Sequence, residues 1–395
     1  MDEKKIKQKL GMKRVFIPVF IGLIAAGYVL YKSLTEVRFD KTEPGKGDYI
    51  LKDNSVEHDI ADADHFILME NGDFTKSTVK QSLKKVDWGF YSIVFLLAAI
   101  VFLVMRVTGY IMRIRILSEK KLSWRQCFDV VLLWEFASAL TPSVVGGAGV
   151  AIFFLGREKI SLGKSTAIVM ITAMLDELFY VLVVPFTFFF VIKKNIFPES
   201  WQQEIFGFNL TAEGVFWVGY FFIFILIFTL VYAVFINPRG FRFLLLRIFN
   251  IQFLKKWQYK VIQWGNDLVL ASKEYRSKPL SFWLSTFGWT FFSWTSRFLL
   301  LNCLIMIVVP SIDHVYVYAK QLGMWVIMLI SPTPGGSGLA EVAFYHFFGD
   351  SVVPLTLVGL LAILWRLLTY FPYIFVGVLV LPGWLKRTSS GNSNG

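Results

Sequence analysis

Ile330-Ser331-Pro332-Thr333-Pro334-Gly335-Gly336-Ser337-Gly338-Leu339-Ala340-Glu341 interrupts a chain that otherwise consists largely of long apolar runs. The two prolines remove backbone donors, and the three glycines weaken any helix they interrupt. In hydrocarbon, backbone groups freed this way need protein or water as partners. The stretch therefore predicts a helix break that is buried in protein or lines a cavity. An earlier stretch repeats its chemistry: Leu140-Thr141-Pro142-Ser143-Val144-Val145-Gly146-Gly147-Ala148-Gly149. The remaining segments arrange themselves around these two breaks.

The 395 residues are 55% hydrophobic and 17% charged, and several apolar runs reach the roughly 18–20 residues that span a hydrocarbon core. An all-α, polytopic membrane protein is predicted. In that setting the formal net charge of +12 reads as a topology signal and an attraction to anionic lipid, not as a nucleic-acid footprint. Cys127 and Cys303 lie in apolar runs, which argues against a disulfide framework. His58, His65, His314 and His346 lack metal-ligand spacing. The chain holds no Walker loop, nucleotide fingerprint or Ser/His/Asp spacing. No metal, cofactor or catalytic residue is predicted, and a transporter is expected in place of a catalyst.

Residues 1–31 combine a basic start (Lys4, Lys5, Lys7, Lys9, Lys13, Arg14) with an uncharged run from Val15 to Tyr31. The run is long for a signal-peptide core, so it reads as a retained first span with its basic end in the cytoplasm. Residues 32–87 hold nine Lys/Arg against twelve Asp/Glu and form an expected extracytoplasmic loop. Within it, Asn71-Gly72 predicts a hairpin turn, and Thr78–Asp87 predicts an amphipathic helix with Val79, Leu83 and Val86 on one face. A transmembrane domain is expected over 88–385 and a cytoplasmic tail over 386–395. Its spans are Trp88–Met105, Thr166–Ile192, Val215–Ile236, Pro279–Val309 and Val353–Leu381. The basic residues of 106–125 belong inside the cell by the positive-inside rule.

Whether Cys127–Leu155 crosses decides the later topology. A crossing would put 237–278, with nine Lys/Arg against Asp267 and Glu274, outside. A re-entrant hairpin keeps that segment inside, where its Phe, Leu and Ile interleaved with Arg and Lys read as interfacial helix. The second broken segment, within Tyr316–Gly349, is expected to be a hairpin as well, which places both termini in the cytoplasm. Units of about 88–192 and 279–382 then form an inverted repeat. Gly/Pro-broken segments at matching places in two halves point to a transporter site near the midplane.

Glu135, Asp176, Glu177, Arg297, Glu341 and Arg366 fall at predicted membrane depth. Each costs ~2.5–3.5 kcal/mol if it faces lipid at the centre. They therefore predict a polar seam, with Glu341 near Arg366 and Asp176 or Glu177 near Arg297. Glu135 and Asp129, six residues apart, do not share a helix face well and carry no predicted catalysis. Buried pairs that merely fix helix register are the plainer reading of any one of these charges.

Leu140-Thr141-Pro142-Ser143 to Gly146-Gly147, then Phe153-Phe154-Leu155-Gly156-Arg157 and Asp176, resembles the transmembrane region of the lysylphosphatidylglycerol synthase family. So does Pro332-Thr333-Pro334-Gly335-Gly336-Ser337-Gly338 with Glu341. The resemblance covers Lys84 to the end. It implies a flippase-like activity, in which lipids with modified headgroups move between leaflets. It also implies a role for Thr141, Pro142, Gly146, Gly147, Arg157, Pro334, Gly335, Gly336 and Gly338 beside the six charged residues. The chain stops at Gly395 without the soluble aminoacyl-transferase domain of the family's best-known members, so lipid aminoacylation is not expected of it. It also carries Ala148-Gly149 where the family often has a polar residue.

The reading is a multi-pass lipid translocase of a bacterial cell membrane, with a headgroup entering a polar groove between the hairpins. The runner-up is a membrane-embedded transferase acting on a lipid-linked substrate. Expected partners are membrane lipids, anionic or aminoacylated phospholipid, and a lipid-synthesis enzyme; oligomers are compatible with the sequence and nucleic acid is not expected.

Overall fold

The computed structural model describes residue 31 and residues 37–390, except 43, 53–64, 79–80, 82, 85, 87, 142, 193, 200, 206–207, 249, 251–257, 330–335, 337–338 and 350. The expected first span lies outside the described residues but for Tyr31. The chain is predominantly helical. Among the described residues, four helices are long and apolar enough to cross a membrane: Phe90–Leu117, Leu162–Phe190, Ala212–Ile236 and Leu355–Thr388.

The strands are β1 (Val37–Lys41), β2 (Gly47–Leu51), β3 (Phe66–Gly72) and β4 (Phe74–Thr78). They form one sheet in the order β1-β4-β2-β3. The expected hairpin at Asn71-Gly72 does not form, because β3 and β4 do not pair with each other. Instead β1 with β2 runs antiparallel to β3 with β4, placing Val37 opposite Thr78 and Leu51 opposite Phe66. A Cβ on Gly72 would stand 2.3 Å from the Tyr49 carbonyl oxygen. Glycine thus lets two backbones cross where a turn is expected, and the ribbon folds over on itself. Phe39, Phe66 and Phe74 fill the fold, with Tyr49 and Leu51 packed against them. Of the expected helix over Thr78–Asp87, Gln81, Leu83 and Lys84 are helical, and the Thr78 N–H and hydroxyl donate to Gln81 Oε1.

Helix α1 (Phe90–Leu117) runs twelve residues past the Met105 boundary read from the sequence. Next come α2 (Trp124–Leu140), α3 (Ser143–Arg157) and α4 (Leu162–Phe190). A capping box between Ser123 and Gln126 starts α2, and at its far end the Thr141 N–H and hydroxyl both donate to Ala137 O. Strands β5 (Gln202–Ile205) and β6 (Phe208–Thr211) form a small hairpin. Helix α5 (Ala212–Val231) ends in a π-helical turn, Tyr232–Ile236. Asn237 closes it and accepts from the Gly240 N–H at 2.7 Å, which opens α6 (Pro238–Ile248). Helix α6 packs on α7 (Gln258–Arg276). Phe243 and Leu244 stand exposed on α6 beside Arg242 and Arg247, an amphipathic helix as expected for this segment.

Helices α8 (Leu280–Met306), α9 (His314–Met328) and α10 (Leu339–Phe348) follow. Asp313 caps α9 by accepting from the Val315 and Tyr316 N–H groups. The sixth expected span divides into α11 (Leu355–Thr369) and α12 (Phe371–Ser390) at Tyr370, where Pro372 lacks a donor and its ring opposes continuation from α11. Helices α1–α4 run as a long helix, a broken pair and a long helix; α8–α10 repeat the long helix and the broken pair, and two shorter helices, α11 and α12, take the last place. Both broken segments are pairs of helices packed on each other, α2 on α3 and α9 on α10.

The chain divides into two compact units that interleave along the sequence. The first holds Met1–Val101, Phe190–Phe216 and Phe298–Tyr370; the second holds Phe102–Phe189, Trp217–Arg297 and Phe371–Gly395. In the second unit α1 and α8 touch closely at Gly109, where a Cβ would lie 2.8 Å from Ser293 Cβ and 3.0 Å from Trp289 O. Gly288 has nothing within 4 Å of its would-be Cβ. Gly109→Val should cost about 1–3 kcal/mol by overpacking and lower the melting temperature of the detergent-solubilised protein. Gly288→Ala should leave it unchanged or raise it, since alanine is the better helix former. Equal melting temperatures for wild type and Gly109→Val would contradict this contact.

Candidate functional site: a buried arginine cluster

Arg106, Tyr110 and Arg113 occupy positions i, i+4 and i+7 of α1 and so share one face. Both arginines are almost fully buried in the second unit. The Arg106 guanidinium donates to Glu135 Oε2 of α2 at 2.9 Å and to the Tyr373 hydroxyl of α12 at 2.7 Å. It also lies 5.5 Å and 4.9 Å from the Tyr110 and Tyr373 ring centres. Ser293 of α8 donates to the Arg106 carbonyl oxygen. Gly377, one turn beyond Tyr373, lets Phe136 pack against α12; a Cβ there would stand 2.3 Å from the Phe136 ring. That contact seats Tyr373 and Glu135 beside the same guanidinium.

Arg113 grips Asp176 of α4 with both terminal nitrogens, at 2.5 Å and 3.3 Å, and donates to Thr290 Oγ1 of α8 at 3.2 Å. The Trp294 indole N–H donates to the same Asp176 Oδ1 at 2.7 Å. Trp294 stacks on Phe179 and meets Tyr180 edge-on. The Arg297 guanidinium lies 5.2 Å from the Trp294 ring centre and within electrostatic reach of Arg106 and Glu135. Glu177, beside Asp176 in sequence, is 6% exposed. Its Oε2 has no hydrogen-bond partner among the described residues.

In the first unit, Arg366 of α11 pairs with Glu341 of α10 at 3.0 Å and lies 4.0 Å from the Tyr370 ring centre. Lys320 of α9 is buried, with its ammonium 3.3 Å from Ile196 O and 5.0 Å from the Tyr316 ring centre.

Two further charge clusters tie segment ends of the second unit together. Arg387 of α12 pairs with Asp129 and Glu158, while Trp384 and Gln126 donate to Glu158. Lys164 bridges Glu119 and Glu274 at 2.8 Å each, and Lys278 adds a contact to Glu119 at 3.2 Å.

The residues singled out in the sequence therefore divide. Glu341 meets Arg366. Glu135 meets Arg106 and Asp176 meets Arg113, while Trp294, which donates to Asp176, also lies beside Arg297. The sequence reading placed Arg106 and Arg113 in a cytoplasmic loop, because it gave their charge to topology before considering burial. Their signal was the seven-residue spacing Ser92, Ala99, Arg106, Arg113, which puts them on the buried stripe of one long helix. Tyr110, Trp294, Tyr373 and Lys320 were also missed. Arg157 contacts Thr388 at 3.5 Å, apart from the arginine cluster. Thr141 closes α2, and Gly147 gives close approach to Ser138, whose Oγ a Cβ would meet at 2.1 Å. Gly146 lies in the first turn of α3. Gly336 adopts φ +68° and its carbonyl accepts from the Ala340 N–H, a turn that favours glycine. Pro142, Pro334, Gly335 and Gly338 lie outside the described residues.

A helical body with buried Arg–carboxylate pairs defines a multi-pass membrane protein with a polar interior. Residues 71–377 match the family described as Lysylphosphatidylglycerol synthase TM region, and the chain belongs to that family. It is 25% identical over 316 residues to a UPF0104 membrane protein of Archaeoglobus fulgidus, which covers 78% of this chain and 90% of the relative. No solved structure matches.

Removing one partner of a buried pair leaves the other charge unanswered, at about 3–5 kcal/mol. Arg106→Met should therefore destabilise the protein strongly, and adding Glu135→Met should restore much of the loss. Thermal unfolding of the single and double variants checks this, and additive losses would count against a direct pair. Burial pushes the Glu119 carboxyl up, but hydrogen bonds with Glu274 and from Lys164 and Lys278, with the Lys164 charge, outweigh it and bring it down to about 2. A depressed carboxyl stabilises the fold above its unfolded value of 4.5, and that stability is lost as pH falls toward about 2. Glu119→Gln should flatten the acid limb of the stability profile over that window.

Proposed function

We propose that this protein is a lipid translocase that moves a phospholipid with a polar headgroup between membrane leaflets. The observation that carries the reading is the two buried arginines of the second unit, Arg106 and Arg113, each held by a carboxylate on a neighbouring helix. A guanidinium fork fits a phosphate as well as a carboxylate. A headgroup phosphate can therefore exchange with Asp176 or Glu135 without leaving an arginine charge bare in the membrane. The Glu341–Arg366 pair offers the same exchange chemistry in the first unit.

In this reading the helix pairs α2–α3 and α9–α10 are re-entrant, each entering and leaving on one side of a cell membrane. The basic α6–α7 segment then lies on the cytoplasmic face, where Phe243 and Leu244 insert beside Arg242 and Arg247. Family membership supports a lipid-related role. The acyl chains would stay in lipid while the headgroup crosses.

The test is a leaflet-exchange assay in proteoliposomes containing fluorescent phosphatidylglycerol. A charge-assisted contact is worth about 1.5–3 kcal/mol. Arg113→Ala, Glu341→Ala and Arg366→Ala should therefore each slow exchange about tenfold or more, with the variants still monodisperse in detergent. Wild-type rates in all three would remove the proposed site. A new lipid species, found by mass spectrometry after incubation, would instead favour a membrane-embedded transferase.

A further inference from the structure

We propose that Lys320 is the cationic centre of a second anion site, which takes the phosphate group of a membrane lipid where α9 meets the segment that follows α4. The site lies in the first unit, apart from the arginine cluster, and does not depend on the translocase reading.

Five basic side chains are buried among the described residues: Arg106, Arg113, Lys164, Lys320 and Arg366. Four of them have a carboxylate in contact. Arg106 has Glu135, Arg113 has Asp176, Lys164 has Glu119 and Glu274, and Arg366 has Glu341. Lys320 is the exception. It is 2% exposed, and no carboxylate among the described side chains pairs with it. Its ammonium meets the Ile196 carbonyl oxygen at 3.3 Å and the Tyr316 ring centre at 5.0 Å. An ammonium carries three N–H donors, so one carbonyl and one ring face leave it capacity for a further acceptor. A buried charge is costly unless an opposite charge answers it. An anion from outside the chain supplies that answer.

The position of the ammonium selects a phosphate. Ile196 lies just past Phe190, where the long apolar helix α4 ends. Tyr316, one turn before Lys320, donates to Asn195 O of the same segment at 2.7 Å. The Lys320 stem thus carries its charge toward the end of a spanning helix, the level at which lipid phosphates lie, as membrane lysines do. Lys194 of that segment is half-exposed and pairs with Asp313, and its ammonium lies 5.3 Å from the same Tyr316 ring centre. An arriving phosphate therefore meets an outer cation first and a buried one behind it, where attraction is stronger. Lysine serves phosphate as a point charge and needs no fixed fork geometry. The contact to Ile196 O lies just beyond the usual range of about 2.7–3.2 Å, so the ammonium turns to an anion without losing a strong bond.

The experiment is titration calorimetry of the full-length protein in uncharged detergent with short-chain phosphatidylglycerol, with thermal unfolding of the same samples. Wild type should bind the lipid and melt at a higher temperature in its presence. Lys320→Met keeps the apolar stem and removes the charge. It should weaken the binding about tenfold or more. Without lipid it should melt no lower than wild type, because an apolar group replaces a buried charge. Lys320→Arg, which keeps a cation, should retain binding. Wild-type affinity and melting shift in Lys320→Met would overturn the site, and so would a wild type whose melting temperature the lipid leaves unmoved. A lipid-free Lys320→Met that melts well below wild type would also overturn it, since the ammonium would then serve the fold through Ile196 and Tyr316. Inorganic phosphate at matched ionic strength is the parallel arm. Lys320-dependent binding of equal strength there would keep the phosphate site and assign it to free phosphate in place of a lipid headgroup.

Discussion

An arginine inside a membrane domain must have its charge answered by protein, and this requirement arranges much of the second unit. A guanidinium does not become neutral by giving up its proton, whereas a carboxylate can become neutral by taking one up. Arg106 therefore draws Glu135 and Tyr373 to α1, and so gathers α2 and α12. Arg113, two turns further along the same face, draws Asp176 and Thr290, and so gathers α4 and α8. The two arginines set which helices surround α1, and the non-directional hydrophobic effect alone would not choose among them.

Small residues and aromatic rings make those pairings sterically possible. Gly109 removes the side chain that would hold α8 away from α1, and Gly377 admits the Phe136 ring against α12. Trp294 serves both roles. Its indole N–H satisfies the second side of Asp176, while its face packs with Phe179 and Tyr180 and lies near Arg297. Substituting any of these would move a charged group whose position has little tolerance, since a separated buried pair loses attraction without regaining water.

The same rule operates at the segment ends, with more solvent available. Arg387 fastens the end of α12 to Asp129 and Glu158, one at the start of α2 and one just beyond α3. The broken pair α2–α3 is thus held at its open end by an ion pair and near its middle by Glu135. Asp129 and Glu135, which sequence spacing kept apart, answer different arginines at different depths of the helix. Lys164 plays the fastening part for the start of α4 and the end of α7.

What the sequence determined by itself was whatever depends on chain-local chemistry. Apolar run length set the spanning helices, Pro and Gly set the two breaks, the Phe, Leu and Ile interleaved with Arg and Lys in 237–278 set an amphipathic helix, and two motifs marked the family. Rare charges in apolar runs marked a polar interior, and one of the pairings, Glu341 with Arg366, could be named. The tertiary structure decided partner choice. Asp176 receives the Arg113 fork, a partner set by how α1 and α4 pack, which periodicity does not specify. It also decided that Arg106 and Arg113 are buried. A one-dimensional charge count cannot tell an arginine serving as a topology marker from one held inside by a carboxylate on a helix far along the chain.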